Sequence, residues 1–211
     1  MTQANYTTEH REALREQILK VATREFTTIG VKSVKMDDIA RKLKISKRTL
    51  YEIYDNKEQL LLESVARRIH EFDATLERFD SSGEKQVIDI ILEFYRLQME
   101  ELRDMNPVYY EDLHKYPRVM SFLEQVNKEH KAHSKDFFKR GVLEGYFRND
   151  FNYELISLLG NNVMQNVMES KLYNTYSLQD IFLHVVIVCI RGQSTAKGMH
   201  ELDSQLETIA Y

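Results

Sequence analysis

Residues that interrupt helices are scarce in this chain, and their scarcity constrains the fold more than any other feature of the sequence. Only two prolines and seven glycines occur among 211 residues, so long stretches contain no strong helix breaker. The alternation of apolar and polar residues that is typical of half-buried strands is missing. The sequence therefore predicts an all-α fold of about nine helices or more.

Charge is distributed unevenly along the chain. The net charge is −4 overall, yet residues 1–60 contain twelve Lys and Arg against nine Asp and Glu. A weakly basic N-terminal segment on an acidic remainder is compatible with a surface that meets phosphate groups. The natural domain boundary falls near residue 60, which predicts an N-terminal domain over residues 1–60 and a C-terminal domain over residues 61–211.

Apolar runs in the sequence are short. The longest, Val185 to Ile190, cannot cross a bilayer, and the N-terminus lacks the basic-then-apolar layout of a secretion signal. We therefore expect a cytoplasmic protein with no membrane partner. The single cysteine, Cys189, lies in this run and is expected to be a buried, inert thiol.

The segment from Asp38 to Leu60 fits two short helices joined by a tight turn. Ser46 is a suitable N-cap for the second helix, and Ala40 supplies the small residue needed where the two backbones approach. Apolar residues fall at the positions that face a shared core: Ile39, Leu43, Ile45, Leu50 and Ile53. This arrangement is typical of a helix-turn-helix.

The same arrangement leaves a basic face on the second helix. Lys47, Arg48 and Tyr51 point outward, on the helix that enters the major groove in helix-turn-helix proteins. Arg48 suits a bidentate contact with guanine, Lys47 a phosphate or a base, and Tyr51 a phosphate oxygen. The alternative is an ordinary helical hairpin whose basic residues only face solvent. The agreement of apolar positions, small residue, cap and basic face favours DNA binding.

Residues 30–61 resemble the DNA-binding domain of the TetR (tetracycline-repressor) family; they read GVKSVKMDDIARKLKISKRTLYEIYDNKEQLL. The resemblance extends upstream over Ile18, Ala22 and Phe26. It implies that Thr49 and Tyr51 contact the DNA backbone and that Lys57, with the free amides at the start of the fourth helix, holds a phosphate. The predicted DNA-binding set consists of Lys44, Ser46, Lys47, Arg48, Thr49, Tyr51 and Lys57.

Lys44 departs from the family pattern. It occupies the turn position where the family usually has glycine, so a left-handed backbone there would cost on the order of 1 kcal/mol. We expect the domain to tolerate this cost.

Two helices near the C-terminus carry wider apolar surfaces than one buried face needs. The resemblance implies that such helices pair with their copies in a symmetric dimer; the alternative is that both are central core. The candidate interface residues are Leu155, Leu159, Val163, Val167, Phe182, Val185 and Cys189.

Aromatic, Met and His residues are dense between Tyr95 and Phe147, the region that surrounds the effector pocket in TetR-like proteins. Their abundance suggests a small apolar or aromatic effector, although such residues at helical spacing are more often plain core. The candidate ligand-binding residues are Tyr95, Met99, Tyr109, Tyr110, His114, Phe122 and Phe138.

Enzyme interpretations fail. Glu111-Asp112-Leu113-His114 has the Glu-x-x-His spacing of carboxylate-bridged metal bundles, but such a site needs a second copy that the sequence lacks. We therefore expect no catalytic site, no metal and no cofactor.

The sequence predicts a ligand-responsive repressor that binds palindromic, double-stranded operator DNA as a homodimer and is released by a small effector. The alternatives are a TetR-like activator or chromosome-associated protein, and a helical small-molecule-binding protein that does not read DNA.

Overall fold

The computed structural model describes residues 3–81 and 83–209, and the side chains of residues 8–206 except those of residues 82, 161, 164 and 168. Within these ranges the chain forms ten α-helices, one 3-10 helix and no β-strand. The predicted all-α fold is confirmed. The helices are α1 (Gln3–Ile29), α2 (Met36–Lys42), α3 (Lys47–Ile53), α4 (Lys57–Asp80), α5 (Val87–Arg103), α6 (Val108–Leu113), α7 (Pro117–Leu143), α8 (Tyr153–Glu169), α9 (Leu178–Gln193) and α10 (Ala196–Ile209), with the 3-10 helix at Leu172–Asn174.

Glycine and proline mark helix ends, as their chemistry requires. Gly30 closes α1 at a φ of 84°, and its N–H donates to the Phe26 carbonyl at 3.1 Å. A positive φ is easy for glycine, which has no Cβ. Pro117 opens α7, where its missing N–H costs no helical hydrogen bond.

The chain is divided into two compact units. The first contains the residues up to Glu71 together with Asp104–Glu124. Its core is built from the apolar stripes seen in the sequence: Ile18, Ala22, Phe26, Ile39, Ala40 and Leu50 are all at most 2% exposed. The division falls inside α4, and the predicted boundary near residue 60 stays a prediction.

The second unit contains Phe72–Arg103 and the residues from Gln125 onward. Ile88 and Leu92 on α5 are buried with Tyr146 and Leu202, and Val87 and Ile91 are buried with Phe147. Glycine is required at position 141, because a Cβ there would overlap the ring of Phe147. This packing also holds Phe138 on α7 and Tyr153 at the start of α8 against the core.

Candidate DNA-binding surface

The turn between α2 and α3 has the geometry of a glycine-closed helix end, although it contains no glycine. Lys44 adopts a φ of 56°, in the left-handed region. Its N–H donates to the Arg41 carbonyl at 3.1 Å, and the Ile45 N–H donates to the Ala40 carbonyl at 3.0 Å. These two bonds are those of the Schellman arrangement. The predicted left-handed conformation of Lys44 is confirmed.

Replacing Lys44 with glycine is expected to raise the free energy of unfolding. A side chain at positive φ costs on the order of 1 kcal/mol, which glycine avoids, and the more flexible unfolded chain offsets part of the gain. Arg41→Gly is the control, since it places glycine inside helical backbone and should lower stability by about 1 kcal/mol. Chemical denaturation measures both, and equal losses in the two variants would contradict the strain at Lys44.

Ser46 begins α3 as its N-cap, as predicted. Its Oγ accepts the Thr49 N–H at 3.0 Å and lies 2.8 Å from the Thr49 Oγ1. The hydrogen bonds between Ser46 and Thr49 therefore fix the first turn of α3, which contains the basic residues Lys47 and Arg48.

The two faces of α3 differ sharply in exposure. Leu50 is fully buried against the core of the unit, whereas Tyr51 is 46% exposed and the Arg48 side chain 90% exposed. Lys47 is exposed as well, and Thr49 and Ile53 are half-buried. The chain thus presents Lys47, Arg48 and Tyr51 outward, the arrangement that a groove-reading helix needs.

Each basic residue at the start of α3 has a carboxylate partner. Lys47 pairs with Asp37 on α2, and the Arg48 Nε lies 2.8 Å from the Glu52 Oε1 one turn along α3. The hydrogen bond with Glu52 raises the pKa of Arg48 above its ordinary value. Both pairs are largely exposed, so each contributes little to stability and can be exchanged for contacts with DNA.

Lys57, the predicted phosphate ligand, is engaged inside the domain. Its Nζ donates to the Val31 carbonyl at 2.9 Å and to the Val34 carbonyl at 3.0 Å. Burial lowers its pKa, and the nearby charge of Asp112 opposes that shift. Lys57 therefore braces the segment between α1 and α2. A phosphate contact stays a prediction and would use the third hydrogen of the ammonium group.

Asp112 on α6 is a buried polar residue to which the sequence assigned no role of its own. It is 1% exposed, and its carboxylate accepts the Lys32 N–H at 2.6 Å and a bond from the Lys115 Nζ at 2.6 Å. Burial alone would raise the pKa of Asp112, but these two donors lower it overall. The signal was available in the sequence, because Tyr109, Asp112 and Leu113 share the helical spacing of a buried face.

A second polar cluster ties α1 to α4. The Arg15 Nε donates to the Glu63 Oε1 at 2.9 Å, and the hydroxyl of the fully buried Tyr54 donates to the same oxygen at 3.0 Å. The bond from Arg15, reinforced by Tyr54, lowers the pKa of Glu63 despite burial, which acts in the opposite direction. These bonds fix the end of α3 against its neighbours.

The predicted interface residues fall into two groups. Leu155, Leu159 and Val163 on α8 are 52%, 50% and 43% exposed, while Val185 and Cys189 on α9 are half-buried. Val167 and Phe182 are buried inside the unit, at 4% and 8% exposure, and Phe182 stacks on Tyr95. A role for these two at an interface stays a prediction. Within the unit they belong to the apolar stripes that α8 and α9 turn towards the core.

Sequence reasoning also missed exposed apolar residues in the same region. Leu158 is 46% exposed and Val188 is 71% exposed. Val188 lies in the apolar run that contains Cys189, so the run itself was the available signal. These residues extend the apolar surface of α8 and α9.

The predicted ligand-binding residues are divided between the two units, and their role stays a prediction. Tyr109, Tyr110, His114 and Phe122 belong to the first unit, and Tyr95, Met99 and Phe138 to the second. Tyr95 and Tyr109 are core residues, at 3% and 1% exposure. Phe138 lines a groove between α7 and the start of α8.

In the part of the chain that the structure describes, no three His, Cys, Asp or Glu side chains are grouped as a metal ion would need. His130 pairs with Asp73, and its Nε2 lies 2.9 Å from the Asp73 Oδ2. Across the described helices, none combines the length and the apolar character that crossing a membrane requires.

Comparison with known proteins agrees with this geometry. The model of the tetR family of bacterial regulatory proteins matches residues 18–64, the segment that contains the C-terminal part of α1, all of α2 and α3 and the start of α4. No curated protein matches the chain in sequence.

Several solved structures share the fold at low sequence identity. A TetR-family transcriptional regulator from Agrobacterium tumefaciens is 11% identical, with a TM-score of 0.70 over 88% of this chain and 100% of that one. A transcriptional regulator from Saccharomonospora viridis, solved in complex with choline, is 16% identical, with a TM-score of 0.68 over 87% and 99%. The ketosteroid regulator KstR2 of Mycobacterium tuberculosis is 20% identical, with a TM-score of 0.58 over 86% and 95%.

Together, the capped α3, its buried inner face and its exposed basic face define a helix-turn-helix DNA-binding protein. The matched segment, residues 18–64, assigns that domain to the tetR family of bacterial regulatory proteins, and the solved structures named above share the fold of the longer chain. These comparisons support a DNA-binding transcriptional regulator, and members of the matched family are regulators, not enzymes.

Proposed function

We propose that the protein is a repressor that binds a palindromic operator as a homodimer and is released by a small apolar or aromatic effector. The observation that carries the proposal is the exposed basic face of α3, where the Arg48 side chain is 90% exposed above the fully buried Leu50. A guanidinium held at that position matches the O6 and N7 acceptors of guanine.

The proposed dimer uses the apolar surface of α8 and α9. Leu155, Leu159 and Val163 are spaced by four residues along α8 and are all close to half exposed. An apolar stripe of this kind is costly to leave in water and is typical of a surface that meets a copy of itself. A symmetric dimer would match a two-half-site operator with a spacing of roughly 34 Å.

The proposed effector response is a shift between two populations of the dimer. The ligand-free dimer occupies the operator and blocks transcription, whereas effector binding moves α4 and misaligns the two recognition helices. Among the similar structures, one is a ketosteroid transcriptional regulator and another was solved in complex with choline. Small molecules of different chemistry are thus associated with folds of this kind, which supports an effector without naming it.

Arg48→Ala tests DNA reading directly. We expect the variant to lose roughly 1–3 kcal/mol of operator binding free energy, because it removes a base contact. The operator is first taken from the genomic fragments that the purified protein retains at moderate salt, and binding is then titrated at several salt concentrations.

Arg103→Ala is the matched control, since it removes an exposed arginine on α5 and should leave operator binding unchanged. If Arg48→Ala keeps both the affinity and the salt dependence of the parent protein, α3 does not read DNA. The protein would then be a helical ligand-binding protein without DNA readout.

A further inference from the structure

A groove of about 690 Å³ lies in the second unit, between the C-terminal half of α7 and the first turn of α8. Its volume is that of a pocket for a single small molecule. Of the residues that line the groove, only Phe138 belongs to the predicted DNA-binding, ligand-binding or interface residues. Its walls include a row of lysines and three aromatic side chains, Phe138, Phe151 and Tyr153.

The lysines follow one side of α7. Lys128, Lys131, Lys135 and Lys139 are spaced by three and four residues, so they line the groove together. Lys131 pairs with Glu154 at 3.0 Å. Glu154 also interacts electrostatically with Lys135 at longer range, and among the described residues no carboxylate lies within ion-pair distance of Lys128, Lys135 or Lys139. Four lysines against the single carboxylate of Glu154 leave the groove with an excess of positive charge.

The aromatic part is a fixed stack. The rings of Phe138 and Tyr153 lie 4.6 Å apart at an angle of 13°, and both pack against the core around Phe147. Rings held in this way offer an apolar surface at little entropic cost on binding. The groove thus presents positive charge beside a rigid apolar wall.

The groove and the apolar face of α8 lie on different sides of that helix. Tyr153, Glu154 and Ser157 line the groove, whereas Leu155 and Leu159 are exposed elsewhere on the helix. At about 100° per residue, the centres of these two sets are roughly opposite each other. Pairing of α8 with a copy would therefore leave the groove open.

We propose that this groove binds a small molecule that carries a negative charge on an aromatic or other apolar body. Three lysines with no described carboxylate within ion-pair distance attract the charge, and the Phe138 and Tyr153 stack takes the body. A polyanion such as nucleic acid is disfavoured, because residues 61–211 carry more Asp and Glu than Lys and Arg and would repel it outside the groove. The inference rests on the proposed function in one respect, which is that Phe138 is treated as an effector contact.

Calorimetric titration of the full-length protein with 2-naphthoate tests the inference without DNA. 2-Naphthamide has nearly the same shape and no charge, so we expect it to bind about tenfold more weakly. The paired substitution Lys135→Gln and Lys139→Gln should weaken 2-naphthoate binding about fivefold and leave 2-naphthamide unaffected. The control pair, Lys20→Gln and Lys35→Gln, removes two exposed lysines of the first unit and should change neither.

Equal affinity for the two probes, or unchanged 2-naphthoate binding in the Lys135 and Lys139 variant, would overturn the inference. So would displacement of 2-naphthoate by a short random DNA duplex that depends on the same two lysines, because the groove would then be a nucleic-acid site. Operator binding is measured separately with Arg48→Ala. A negative outcome in one of the two experiments therefore does not contradict the proposal that the other one tests.

Discussion

Replacing Leu155 and Leu159 together with lysine is expected to dissociate the proposed dimer into monomers. Both side chains are about half exposed on α8, and pairing would remove their remaining surface from water. Burying the exposed half of each leucine is worth about 0.8–1.5 kcal/mol, and a symmetric dimer contains each leucine twice. Two lysines on each chain would also face their copies across the symmetric interface. The dimer dissociation constant should rise by a factor on the order of a thousand or more.

Leu143→Lys is the matched control for this experiment. Leu143 is 81% exposed at the end of α7 and lies outside the α8 surface, so its replacement should leave the dimer intact. Sedimentation equilibrium measures the assembly state of all three proteins. A parent protein that remains monomeric at micromolar concentration, or a lysine variant that dimerises as the parent does, would remove the proposed interface.

Asp112→Ala is expected to lower the stability of the first unit by about 2–4 kcal/mol, because it leaves the Lys32 N–H without its acceptor and opens a small cavity. Lys115, whose side chain is 54% exposed, can return to water and adds little to the loss. Hydrogen exchange measured by mass spectrometry, which reports on each segment separately, is the suitable readout. Protection should fall in α2, α3 and α6, which belong to the first unit.

Two comparisons sharpen the Asp112 experiment. Asp112→Asn keeps an oxygen for the Lys32 N–H and should lose less stability, whereas Asp104→Ala removes an exposed aspartate and should lose almost none. Acid gives an independent check, since the folded-state pKa of Asp112 is lowered. Its stabilising contribution is present above the unfolded value of roughly 3.9 and is lost as the pH falls through the lower folded value. The difference in unfolding free energy between the parent protein and Asp112→Ala should therefore become smaller in acid. A difference that stays constant would contradict a stabilising role of the charged Asp112 carboxylate.

The features that the sequence predicted correctly are local ones. The Ser46 cap, the buried Leu50 and the left-handed Lys44 all depend on residues within a few positions of each other, where spacing and side-chain chemistry decide the conformation. The exposed basic face of α3 followed from the same pattern, because residues on one face of a helix leave the other face to solvent.

The features that it missed depend on distant contacts. Asp112 meets Lys32 across 80 positions of sequence, and no local pattern reports such a pairing. The hydrogen bonds from the Lys57 ammonium group to the carbonyls of Val31 and Val34 were not foreseen either, and its phosphate contact stays a prediction. The burial of Phe182 in its own unit was missed for a related reason, since a helix that is apolar on several sides does not reveal which side meets its own core.

The pairing of Lys47 with Asp37 and of Arg48 with Glu52 has a consequence for how the recognition helix discriminates among DNA sequences. These carboxylates partly neutralise the charge of Lys47 and Arg48 before any contact with DNA is made. Phosphates encountered at random positions must compete with these carboxylates and gain little from them. Stable binding of α3 then requires bases in the groove that can form hydrogen bonds with both the basic residue and the carboxylate of a pair. Charge alone does not hold the helix on DNA.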